Sequence, residues 1–92
     1  MKKIEDVLIQ RGYCQKDAQS VVSQIKSLSS VLIPIFNIWI ATGEESDYIV
    51  GEYSLASLKR KFQMTYPAAL LTIDWLIKDP INASLAIKKG IR

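Results

Sequence analysis

The stretch that most constrains this chain is Ser54 to Lys78, SLASLKRKFQMTYPAALLTIDWLIK, which reads as helix, tight turn, helix. Leu55, Leu58 and Phe62 recur at helical spacing and form one stripe, while Lys59, Arg60 and Lys61 take the other side. Ser54 is placed to cap the first helix and Thr65 the second, each hydroxyl accepting from an otherwise orphaned backbone N–H. Pro67 fits the first turn of the second helix, where no intrahelical donor is lost. Ala69, Leu70, Ile73, Leu76 and Ile77 then make a broad apolar face. Two such helices bury both stripes only by packing on each other and on further elements. The rest of the chain must supply those elements.

It does so with more helices. Residues 2–11 read as a first helix closed by Gly12, and residues 15–28 as a second, carrying Ala18, Val21, Val22, Ile25 and Leu28 at period 3.6. Together they make a helical hairpin over 1–28. The run VLIPIFNIWIA is too short to span a bilayer, which takes about 20 residues, and reads as a buried apolar segment over 31–42; its β-branched residues suit a buried strand, its length and flanks a buried helix, and the helix is favoured. Thr42-Gly43 supplies its stop. Glu44 to Asp47 reads as a solvated acidic loop, and at most one short extended piece is expected near 48–53. Asp79-Pro80 restarts the chain as a last helix over 80–90. The predicted fold is therefore a small all-α domain of five to six helices, with a helix-turn-helix-like pair at 54–78. Its predicted core is Val7, Leu8, Val21, Val22, Ile25, Leu32, Phe36, Ile40, Leu55, Leu58, Phe62, Leu70, Ile73 and Leu76.

The central pair resembles the winged-helix gamma domain of FtsK-type DNA translocases. Leu58, Arg60, Lys61, Phe62, Met64, Tyr66, Ala69, Asp74 and Leu76 match that family's pattern in type and spacing, over about a quarter of the chain. The resemblance implies a DNA-binding scaffold. The chain departs from the family where bases would be read: Thr65, Pro67, Ala68 and Leu71 replace its Gly, Asn, Arg and second Arg. No hairpin signal follows the pair, where a wing would stand.

Composition narrows the chemistry. The chain has no histidine and one cysteine, Cys14. That removes Ser-His-Asp and Cys-His catalysis, His-ligated metal sites and an intrachain disulfide. No Gly-rich phosphate loop or nucleophile elbow is present. Asp74 stands in a mostly apolar helix, and its spacing fixes no second carboxylate, lysine or histidine beside it. The expectation is a non-enzymatic domain without metal, cofactor or small-molecule substrate, and without membrane insertion. The N-terminus has no signal-peptide pattern, so a cytoplasmic location is expected.

Two functions remain. The first is a protein–protein interaction module, binding a partner protein or a second copy through Leu71, Trp75 and Lys78 on the side of the second helix away from its main apolar face. An exposed Trp with a neighbouring Leu makes a typical binding anchor, whereas cover from the last helix or from 31–42 would make both residues core. The second is a DNA-binding protein making mostly phosphate contacts through Lys59, Arg60, Lys61, Lys88 and Lys89, joined by Lys2, Lys3 and Arg92. A net charge of +3 neither demands nor forbids DNA.

Overall fold

The structure, a computed structural model, describes residues 3–90. Among them six helices form: α1 Ile4–Gln10, α2 Gln15–Ile25, α3 Ile33–Thr42, α4 Leu55–Phe62, α5 Tyr66–Lys78 and α6 Pro80–Lys89. A two-stranded hairpin, β1 Ile49–Val50 and β2 Tyr53–Ser54, joins α3 to α4. The fold is the expected all-α domain, and none of its helices is long and apolar enough to cross a membrane. Lys2 and Arg92 lie outside the described residues.

Local chemistry sets the boundaries. The Ser54 hydroxyl accepts from the Ser57 N–H at 3.1 Å, and the Ser57 hydroxyl accepts from the Ser54 N–H at 3.0 Å, a reciprocal cap on α4. Thr65 accepts from the Ala68 N–H at 3.3 Å and starts α5, while Asp79 accepts from the Asn82 N–H at 3.4 Å and starts α6. α3 stops at Gly43, whose φ of 79° lies in the left-handed region where a side chain is disfavoured. The hairpin pairs Val50 with Tyr53 across a turn opened by Gly51 at φ 61°.

Several boundaries differ from the sequence reading. α1 is shorter than 2–11, and α3 begins at Ile33 after a turn rather than at residue 31. α2 ends at Ile25 instead of residue 28, because the chain tightens there: Ser27 N–H donates to the Gln24 carbonyl and Leu28 N–H to the Ile25 carbonyl. That turn drops Leu28 into the core.

α5 is the hub. It packs against α2, α4, α6 and β1, and buries Tyr66, Pro67, Ala69, Leu70, Ile73, Asp74 and Leu76. α4 contributes Leu55 and Leu58, and α6 contributes Ala83 and Ile87. On the opposite side the α1–α2 hairpin meets α3 around Trp39. The Trp39 ring lies 5.5 Å from Tyr66, 5.9 Å from Phe36 and 6.4 Å, edge-on, from Tyr13. Arg11 stacks its guanidinium 4.8 Å from the Trp39 ring centre and donates to the Trp39 and Ile40 carbonyls at 2.5 and 2.8 Å. One side chain thus covers an indole and donates to two of the last four carbonyls of α3.

Several predicted core residues sit at its edge: Val7, Val21, Val22, Ile25, Ile40 and Phe62 are half-buried. Ile77, expected only on the apolar face of α5, is exposed. The helical period finds the stripe but not how wide an arc the neighbours cover. Trp39, Tyr66, Ala18, Leu28, Ala69, Ala83 and Ile87 complete the buried set.

Candidate interaction surface

Because α5 is covered on most of its circumference, the residues left open define a narrow surface. Ala68, Leu71, Thr72 and Trp75, at i, i+3, i+4 and i+7, share one side of the helix. Ala68, Leu71 and Thr72 are half-buried, and Trp75 retains 39 % of its surface. Leu71 packs against the core as well. Beside this line, between α2 and the first half of α5, runs a groove of about 360 Å³ whose floor includes Val21, Ala68 and Leu71 and whose rim includes Asp17, Ser20 and Gln24. Tyr13 and Thr65 line it and also line an adjoining hollow that reaches Arg11. Trp75 stands one helical turn beyond Leu71 on the same stripe. An apolar floor with a polar rim and an aromatic at one end suits an apolar side chain or a helix laid along it.

The third residue expected on this surface, Lys78, is engaged elsewhere. Its ammonium donates to the Ser27 carbonyl and pairs with Asp74 Oδ2 at 2.9 Å. The expectation that nothing is fixed beside Asp74 is therefore corrected: Lys78 is its i+4 neighbour on the same helix face. Asp74 Oδ1 also accepts from the Ser29 N–H at 2.8 Å and from the Ser29 hydroxyl at 2.6 Å. Burial alone would push this carboxyl up. The Ser29 hydroxyl, Lys78 and the Ser29 N–H together outweigh that and hold it below the usual carboxylate range. Such a carboxylate is a poor proton acceptor, and its geometry is that of a staple tying the α2–α3 link to α5. Ser29 had a readable role in the sequence only as a helix breaker, since its partner is 45 residues away.

The basic residues are divided. Lys59 Nζ lies 2.5 Å from Glu45 Oε1 in an exposed pair, so the solvated acidic loop also holds one lysine of the basic run. The loop is further pinned by Asp47, which accepts from the Ala56 N–H at 3.1 Å, and by the Ser46 carbonyl, which accepts from the Tyr66 hydroxyl at 2.7 Å. Arg60 and Lys61 are exposed near the end of α4, and Lys88 and Lys89 are exposed at the end of α6.

Tyr66 makes a measurable mark. Burial, then the nearby Glu45 and Asp47 carboxylates, push its phenol up to about 12. The neutral phenol is favoured in the folded chain, so this group's stabilisation is present below the ordinary tyrosine value and is lost as pH rises toward 12. Ultraviolet titration of the native protein should show a phenol ionising at about 12 that Tyr66→Phe removes. A Tyr66→Phe protein that instead loses a phenol ionising at the ordinary tyrosine value would contradict the burial of that hydroxyl.

The groove residues Tyr13, Val21, Gln24 and Ala68 were not singled out by the sequence as a surface. The only local signal was Ala68, a small residue on the open side of α5, which leaves room above its backbone. Comparison with known proteins adds no further assignment: no family model, no curated protein and no solved structure matches the chain.

Proposed function

We propose that this chain is a non-catalytic protein–protein interaction module in which the open stripe of α5 and the groove beside it receive an apolar segment of a partner protein. The observation that carries this reading is Trp75, 39 % exposed on a helix that buries Tyr66, Pro67, Ala69, Leu70, Ile73, Asp74 and Leu76. A large indole held on a rigid helix presents contact area at little entropic cost, which is why Trp recurs at binding hot spots. Leu71 and the groove floor widen the apolar area around it. The lack of histidine and the engagement of Asp74 by Ser29 and Lys78 support a non-catalytic role.

The alternative, DNA binding through phosphate contacts, has less support. Lys59 is neutralised by Glu45, and the open stripe of α5 offers no Arg, Asn, Gln or Lys to a base edge.

Peptides selected on the domain from a displayed random library provide the test. Selected peptides should be apolar, and Trp75→Ala should weaken them by about 2 kcal/mol or more while the domain stays folded by circular dichroism. Peptides that bind Trp75→Ala as tightly as wild type would contradict the proposal. Salt-sensitive binding to duplex DNA, lost on replacing Arg60 and Lys61, would favour the alternative.

A further inference from the structure

Trp75 and the groove lie on the same stripe of α5, offset along the helix. The floor residue Ala68 stands seven residues, about 10.5 Å, before the indole. Its small side chain leaves the floor open, and the groove of about 360 Å³ has room for an indole. α2 flanks the stripe on one side and runs in the same direction as α5. Tyr13 and Asp17, just before and just after its start, line the groove beside Thr65, while Ser27 and Ser29 beyond its end are bonded to Lys78 and Asp74. Asp17 is the one charged residue lining this groove, and its carboxylate has no ion pair or hydrogen bond among the described residues.

Resting on the reading of this stripe as an interaction surface, we infer that its occupant is a second copy of the chain, α5 against α5 in antiparallel fashion. A two-fold axis crossing α5 between Leu71 and Thr72 sets residue 75 of one protomer level with residue 68 of the other. Each indole then enters the partner's groove over the partner's Ala68, large on small, and the two Leu71 side chains meet across the axis. The same operation sets Lys78 level with residue 65 of the other protomer, where the partner's Asp17 stands. Lys78 projects on the Leu71 side of the stripe, which is the side on which α2 and its Asp17 lie. Both ends of the pairing therefore bring a nearly half-exposed ammonium to an unpaired carboxylate. A parallel pairing would set Trp75 against Trp75 and leave both grooves empty.

One stripe and its groove bury less than the roughly 800 Å² per partner of a stable complex, so the dimer is weak, with a dissociation constant of about 100 µM. Sedimentation equilibrium of the 92-residue chain from about 10 µM to about 1 mM tests it. The expected result is a monomer–dimer equilibrium that Trp75→Ala shifts about tenfold or more toward monomer, since the substitution acts at both symmetric contacts. Asp17→Lys should weaken the dimer about threefold. Ala68→Leu should weaken it too, by filling the seat of the partner's indole, although it adds apolar surface. Circular dichroism of the three variants should match wild type, since Asp17 and Trp75 are exposed and Ala68 is only half-buried. A dimer indifferent to Trp75→Ala, or one tightened by Ala68→Leu, would overturn this pairing. A chain monomeric throughout, with selected peptides still bound through Trp75, would overturn self-association and leave the α5 surface to a different protein. A monomer that also selects no peptide through Trp75 would overturn the interaction surface itself.

Discussion

Trp39→Ala should lower the unfolding free energy by about 3–5 kcal/mol, the range for emptying a core aromatic. Trp39 is 5 % exposed and touches three other aromatic rings, from the α1–α2 turn, from α3 and from α5. Its loss opens a cavity at the junction of the two halves of the fold, and close-packed neighbours relax into such a space only partly. It also strips the face on which Arg11 stacks, leaving the guanidinium with its two α3 carbonyls alone. Urea unfolding followed by far-ultraviolet circular dichroism measures the loss. A change under about 1 kcal/mol would mean the indole is not central to the core.

Asp74→Ala should cost about 3 kcal/mol. The carboxylate is 7 % exposed and its removal leaves the Ser29 N–H and hydroxyl without their acceptor. Lys78, whose side chain is nearly half exposed, accounts for little of this because solvent screens the pair. The same carboxylate shapes the acid limb of stability. Its folded pKa is depressed, so the unfolded chain takes up the proton first. The stabilisation is complete above the ordinary carboxylate value, and it is lost as pH falls through that value toward the lower folded one. Asp74→Asn should flatten that part of the curve while leaving the neutral-to-alkaline limb unchanged. An acid limb as steep as wild type would show that other carboxylates carry it.

How much of this was legible in the sequence follows from the range of the interactions involved. The caps at Ser54, Thr65 and Asp79 act within three residues, so residue type and spacing reveal them. The stop at Gly43 is equally local. The helical period placed Leu55, Leu58, Leu70, Ile73 and Leu76 correctly, because a stripe is a property of one helix. What it could not give is which arc of each helix a distant neighbour covers. Phe62 and Ile77 therefore lie further out than their periodicity implied, and Tyr66, at a helix start, lies further in. The groove is less legible still, since Tyr13, Val21 and Leu71 meet only through the docking of α2 on α5. Trp75 was open to two readings for the same reason, and its exposure depends on α6 packing elsewhere on α5.

The two tryptophans make the decisive comparison. The functional reading requires that Trp75 stand outside the energetics of the fold, as Trp39 does not. Urea unfolding of Trp75→Ala beside Trp39→Ala measures this directly. The expected result is a Trp75→Ala domain within about 1 kcal/mol of wild type, with an unchanged denaturant slope. A loss as large as that of Trp39→Ala would place the Trp75 indole in the core, and the interaction surface on α5 would not exist.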